Sequence, residues 1–245
     1  PWSGMVRLAR TGGEANAISI RIARSASGKD HVAVCGYHGW HDWYLSANLG
    51  ATDKLDGHIL PGLSTSGVPK ELRNTVHPFT YGDVDHLLEL VKNFQIGTIK
   101  MEVQRSTEPD IDFLKRVREI ADSNGIVLIF DECTSGFREA FGGLHLNLGV
   151  FPDICILGKT LGNGYAITAV LGAEEVMTYA QSSFISSTFW TERIGPSAAL
   201  ATLEEMEQIK SWEIISSIGG QIKRTWRVLA EKHKLNIAIG GLDSL

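Results

Sequence analysis

Apolar runs alternate with amphipathic stretches through most of this chain. MVRLA (5–9) and HVAVCG (31–36) read as strands on either side of a helical pattern from Glu14 to about Ser27. A polar stretch containing Gly and Pro, roughly 45–80, reads as loops. Beyond it the rhythm is regular. A helix near 83–94 precedes IGTIKME (96–102), and a helix at 110–124 precedes GIVLIFDE (125–132). FPDICILG (151–158) and AITAVLG (166–172) follow. Apolar strands interleaved with amphipathic helices predict an α/β protein with a largely parallel sheet buried on both faces. The segment from about Gly195 to Lys234 reads as mostly helix, and NIAIG (236–240) as a further strand. No internal repeat or low-complexity tract interrupts this order.

Composition narrows the function classes. The 245 residues suffice for one large domain or one and a half ordinary ones, and 43% hydrophobic residues supply a substantial core. A net charge of −5 lacks the basic field that a nucleic acid or an anionic membrane would need. No stretch has the length of a membrane span. Cys35, Cys133 and Cys155 lack metal-ligand spacing, and two lie in apolar, strand-like runs where a thiol is expected to be buried. A reducing cytoplasm is the expected compartment. The chain opens almost directly on a strand and stops just after NIAIG, which has nothing following to pair with. It therefore reads as a fragment of a longer protein.

Ligands of open α/β sheets sit beyond the carboxyl ends of the strands, and four polar segments here lie at such ends. Arg10-Thr11-Gly12-Gly13-Glu14 follows the first strand. Thr11 with Glu14 forms a capping box, and two glycines in the first helical turn expose amides that favour a phosphate. A plain helix cap explains the same residues. Tyr37-His38-Gly39-Trp40-His41-Asp42-Trp43 follows the second strand. Its aromatic faces suit a flat heteroaromatic ring, but also simple packing on a neighbour. No third ligand at suitable spacing joins His38 and His41 to make a metal site.

Asp131-Glu132 closes the apolar run VLIF, where an acid needs a partner such as a cationic ring nitrogen, a metal or an arginine. Arg138 is the candidate for a structural ion pair. Lys159, in LGKTLGNG, follows a buried strand inside an otherwise uncharged run. A desolvated lysine there would be a nucleophile toward an aldehyde. GKT lacks the upstream glycine and cradle of a P-loop. Lys100, the rival, reads as an edge or paired residue beside Glu102.

A lysine nucleophile, an acid for a ring nitrogen, a stacking group and a phosphate cradle together match the needs of pyridoxal 5'-phosphate (PLP). The motifs TGGEAN, YHGWHDW, LIFDECTSGFR, LGKTLGNG and SSTFWTERIGPSAAL resemble those of class III aminotransferases, nearest to the glutamate-1-semialdehyde 2,1-aminomutase branch. Asp131 and Lys159 stand 28 positions apart in matching context.

The resemblance implies the large domain of fold-type I PLP enzymes: a three-layer α/β/α arrangement with about seven strands, mostly parallel, AITAVLG being antiparallel. Residues 1–205 would form this domain, incomplete at its start. Residues 206–245 would be an interdomain helix and the beginning of a truncated small domain. The resemblance further implies Lys159 as the Schiff-base lysine and Asp131 as the partner of the pyridine nitrogen. Tyr37 would stack on the ring with His38 beside it. Thr11, Gly12 and Gly13 would hold the phosphate, and Thr188 would reach the phosphate in a neighbouring subunit. Glu102 would lie on the substrate side. A homodimer with active sites at its interface is expected, with a small amino donor and a carbonyl acceptor as substrates.

Three segments depart from the family pattern. TGGEA carries Gly13 where S-G-T-E-A has a hydroxyl. MEVQR lacks the proline after the acid, leaving the role of Gln104 open. STFWTERIGPSA places Phe189 and Trp190 beside Thr188, which favours an aminotransferase over the aminomutase. A non-catalytic homologue that binds PLP or another phosphate ligand is the alternative of a different class. It would dispense with Lys159 or Asp131, and both are present.

Overall fold

The computed structural model describes residues 2–58, 61–104, 109–190 and 192–245. Seven strands form one sheet: β1 (Met5–Ala9), β2 (His31–Cys35), β3 (Val76–Pro78), β4 (Ile96–Met101), β5 (Val127–Glu132), β6 (Ile154–Leu157) and β7 (Thr168–Gly172). Their order is β1-β7-β6-β5-β4-β2-β3. Among the described residues only β7 runs against its neighbours, pairing antiparallel with both β1 and β6. The strand β3 at 76–78 lies within the stretch read as loops.

The long helices are α1 (Gly12–Ser27), α3 (Val84–Asn93), α4 (Ile111–Asn124), α7 (Ile194–Ile209) and α8 (Ser211–His233). Four-residue helices α2 (Asp42–Leu45), α5 (His145–Leu148) and α6 (Glu174–Met177) fall between them. The expected boundary at 205/206 falls inside the continuous helix α7.

Alternation along the strands builds the two cores, because successive side chains point to opposite faces. Val32, Val34, Ile129, Ile156 and Val170 pack under α1 through Ile18 and Ile22. Ala33, Ile99, Met101, Leu128 and Phe130 pack under α3 and α4 through Leu87, Leu114 and Val117. A smaller cluster joins Leu157 and Ala169 to Ala199 of α7. The result is the expected three-layer arrangement, with the central strands buried on both faces.

Local signals set the helix ends. The Thr11 Oγ1 accepts from the Glu14 amide at 3.2 Å, while Glu14 reaches back to the Arg10 amide at 2.8 Å. That is a capping box shifted by one residue at its second bond. Gly28 ends α1 and Gly125 ends α4, both in the left-handed region. Asp83 and Asp110 cap α3 and α4 through the amides of His86 and Phe113.

NIAIG is not a strand. Residues 235–240 carry no ladder, and the chain folds back on α8 instead. Lys223 donates to the Gly241 carbonyl at 2.7 Å and pairs with Asp243 at 2.8 Å, while Leu242 is buried in the core beneath α3 and α4. A strand needs a free edge within reach, and this segment meets a helix.

Candidate active site

Strands β1, β2, β4, β5 and β6 point the same way, so the residues that follow them share one edge of the sheet. Thr11, Gly12 and Gly13 lie at the end of β1, where the first amides of α1 have no acceptor within the helix. Contacts tie this turn to its neighbours. The Thr168 hydroxyl donates to the Thr11 carbonyl at 3.3 Å. A Cβ placed on Gly12 would meet the Cys133 Sγ at 3.6 Å, and one on Gly39 would meet the Gly13 Cα at 3.1 Å. A Cβ on Gly13 would meet the His41 ring at 3.0 Å. The missing hydroxyl at this position thus has a local cause: the His41 ring occupies the space a side chain would need.

Asp131 is buried at the end of β5, and its partner is His38. Nδ1 of His38 lies 2.9 Å from Asp131 Oδ2, and the Cys133 amide donates to Oδ1 at 3.2 Å. Burial opposes ionisation of this acid. The His38 hydrogen bond, the Lys100 ammonium and the Cys133 amide outweigh it, holding the carboxyl well below its ordinary value. Arg138 does not serve as the partner. It donates to the carbonyls of Thr134 and Ser244.

Lys159 and Lys100 exchange the environments expected of them. Lys159 follows β6 in a short 3-10 turn with φ 45°, and its side chain is exposed. Its Nζ donates to Thr134 Oγ1 at 2.6 Å. The expectation that Lys159 is desolvated is therefore corrected: β6 is buried, but the turn carries the side chain out of it. Lys100 is the fully buried lysine. It is not on an edge, because β4 lies between β5 and β2. Its Nζ donates to Ser19 Oγ of α1 at 3.2 Å.

Glu102 is buried and accepts the Tyr37 amide at 2.9 Å, which fixes the turn after β2. Tyr37 is half-buried and meets the Tyr44 ring edge-on. Gln104 is buried, with no hydrogen-bond partner for its Nε2 among the described residues. Thr188 is exposed in a turn away from these contacts, and its neighbours reach toward α1. The Trp190 indole donates to Glu14 Oε1 at 3.3 Å, and Phe189 lies 4.9 Å under the Arg10 guanidinium. Arg105 and Thr191, within two of the departing segments, lie outside the described residues.

Glu132, His145 and Cys155 gather three potential ligand atoms within 4.8 Å. The Glu132 carboxylate is already committed to the Ser135 hydroxyl, the amides of Leu144 and His145 and the His145 ring. A cavity of about 500 Å³ lies on the flank of α1, lined by Glu14, Arg21, His41, Trp43, Phe184 and Trp190. Neither Asp131 nor Lys159 lines it.

Sequence reasoning missed the contacts of His41, Cys133 and Thr134 and the buried role of Lys100. Thr134 stands three residues after Asp131, so the segment after β5 held that signal. Only the fold brings His41 to Gly13 or Ser19 to Lys100.

The edge thus offers free amides at a glycine turn, an ionised buried carboxylate and a lysine amine. These suit a phosphate, a cationic ring nitrogen and a carbonyl.

Known proteins resemble this chain along most of its length. The family profile Aminotransferase class-III matches residues 2–241. The 3-aminobutyryl-CoA aminotransferase of Cloacimonas acidaminovorans is 35% identical over 89% of this chain and 51% of its own length. The glutamate-1-semialdehyde 2,1-aminomutase of Sulfolobus acidocaldarius is 30% identical over 100% of this chain and 60% of its own. The chain thus spans about half to three fifths of these relatives. Among solved structures, the PLP internal aldimine form of the Sphingopyxis sp. MTA144 FumI protein superposes with a TM-score of 0.87. It is 22% identical and covers 98% of this chain and 56% of its own. An omega-transaminase from Sphaerobacter thermophilus superposes at 0.82, with 24% identity over 98% and 58% of the two chains.

Proposed function

Because the chain belongs to the class III aminotransferase family, we propose that it binds PLP through Lys159 and moves an amino group between an amino donor and an aldehyde or ketone. The observation that carries this reading is the shared strand edge. There a glycine turn after β1, the His38–Asp131 pair and the Lys159–Thr134 pair stand at the ends of strands that point the same way. When bound, PLP supplies an electron sink for the substrate carbon.

The chain's own residues do the rest. The amides of Gly12 and Gly13, with the Thr11 hydroxyl, bind the phosphate. Asp131 holds a proton on the ring nitrogen, and His38 fixes the orientation of that carboxylate. Tyr37 covers the ring. Thr134 holds the Lys159 amine, and Glu102 keeps the Tyr37 turn closed on the substrate side. Residues 1–205 form the cofactor-binding domain, and 206–245 the link to a smaller one. Two copies assemble, with Thr188 of each completing the phosphate site of the other.

The aminomutase reading uses the same residues, and the relative from Sulfolobus acidocaldarius favours it. The two differ in whether a free keto product leaves between half-reactions.

The test is visible absorption of the purified chain with added PLP, followed by borohydride reduction and peptide mapping. A yellow band that reduces onto Lys159, and is lost in Lys159→Ala with unfolding unchanged, is expected. Sedimentation of the same sample should give twice 26.8 kDa. An unchanged band in Lys159→Ala moves the role to Lys100 first. No band in the folded wild-type chain overturns the reading.

A further inference from the structure

Lys100 is a buried cation that the reaction outlined above does not use. It lies one residue before the end of β4, paired with Val34 on one side and Ile129 on the other. Asp131 is two residues beyond Ile129, so alternation places Lys100 and Asp131 on the same face, under α1. On that face Val32, Val34, Ile129 and Ile156 are apolar, and Thr98 is the buried polar residue two positions before Lys100. A methionine at this position would keep the volume and avoid burying an ammonium whose one hydrogen bond among the described residues is to Ser19.

What the ammonium faces is chemically specific. Asp131 is the first of its charged neighbours, followed by the thiols of Cys133 and Cys155 and the carboxylate of Glu102. His38 holds Asp131 from the turn after β2. Asp131 is thus flanked by two basic side chains, one touching its oxygen and one set beneath it.

We propose that Lys100 is a positioning residue for the ring-nitrogen acid: its ammonium offsets the Asp131 charge and so limits how tightly Asp131 holds a proton on a cationic heteroaromatic ring. This rests on the PLP reading above. A positive charge buried near a cationic ring disfavours that cation, and its removal leaves Asp131 the stronger acceptor. Both effects push the proton affinity of the ring the same way. A charge within about 4–6 Å of a titrating group shifts its ionisation by about 1–3 pH units.

The experiment compares wild type and Lys100→Met, each loaded with PLP labelled with ¹⁵N at the ring. Two signals are followed against pH: the ¹⁵N shift, which reports ring protonation, and the visible band. Wild type and variant should both form the band, with both titration midpoints about one pH unit higher in Lys100→Met. A purely structural role would change stability and leave the midpoints in place, and that result overturns the proposal while sparing the PLP reading. Absence of the band in wild type overturns the PLP reading, and the proposal with it. If Lys100→Met does not fold, Lys100→Gln removes the charge and keeps a polar group beside Ser19. That variant should move the midpoints the same way, and unmoved midpoints overturn the proposal.

Discussion

Asp131 and Glu132 are adjacent acids with separate tasks, because strand alternation sends them to opposite faces. Asp131 meets His38 and the Lys100 charge under α1. Glu132 faces the other way and gathers the loop from Ser135 to His145 with four hydrogen bonds. Replacing each by alanine should separate these tasks. Asp131→Ala loses a charge-assisted bond worth about 1.5–3 kcal/mol, so PLP affinity should fall at least tenfold. Glu132→Ala strands buried donors and should cost about 3 kcal/mol of unfolding free energy, with a smaller effect on the folded protein's affinity. Absorbance titration with PLP and urea unfolding measure the two. Equal losses of affinity would undo the ring-nitrogen assignment.

At the scale of elements, the turn after β2 is the most constrained connection. Gly36 has φ 107°, and a Cβ there would meet Glu102 Oε2 at 2.5 Å. Its amide donates to His58 Nδ1 at 2.8 Å, and the Tyr37 amide donates to Glu102. The carboxylate that closes the turn therefore occupies the volume a side chain would need. Gly36→Ala should cost about 1–3 kcal/mol in unfolding and displace Tyr37 and His38 together. PLP affinity should fall in the same variant. Thermal unfolding and the absorbance titration check this, and wild-type behaviour in both would show that the turn has room to adjust.

For the molecule as a whole, the pH dependence of stability follows from its buried titratable groups. His77 is lowered to about 4, chiefly by burial and then by the adjacent His31 and Lys54. Only the unfolded chain takes up its proton between pH 6.5 and 4, so stability falls on acidification through that window. Asp131 removes more as the pH drops below its unfolded value of 3.8. Burial lowers Lys100 to about 8 from 10.5, partly offset by the Asp131 charge. The unfolded state again holds more protons, so stability rises as pH climbs through 8. Burial pushes the Cys35 thiol up to about 12 from 9.0, and raises Cys133 and Cys155 as well. Three thiols that resist ionisation outweigh one lysine above about pH 9. Urea unfolding of the cofactor-free chain should therefore peak between about pH 8 and 9. The rise between 8 and 9 should vanish in Lys100→Met, and its persistence would assign that window to another group.

The sequence by itself determined the layered fold and most of the elements, because both are written in short-range periodicity. The apolar runs of β1, β4, β5 and β6 and the caps Thr11, Asp83 and Asp110 act within a few residues of their own positions. It also pointed to the polar segments that gather at the strand ends. It failed where a property depends on distant neighbours. NIAIG has a strand's pattern, but an edge to pair with is a property of the assembled sheet. Burial of lysine failed in the same way. Lys159 follows a buried strand yet points out through a left-handed turn, whereas Lys100 reads in sequence as an edge or paired residue and is sealed beneath α1. Pairing of His38 with Asp131, 93 residues apart, was likewise decided by the parallel order of β2, β4 and β5. Local pattern chooses elements because their hydrogen bonds are local. Charges, cavities and contacts between loops belong to the packed whole, because each depends on which surfaces the sheet brings together.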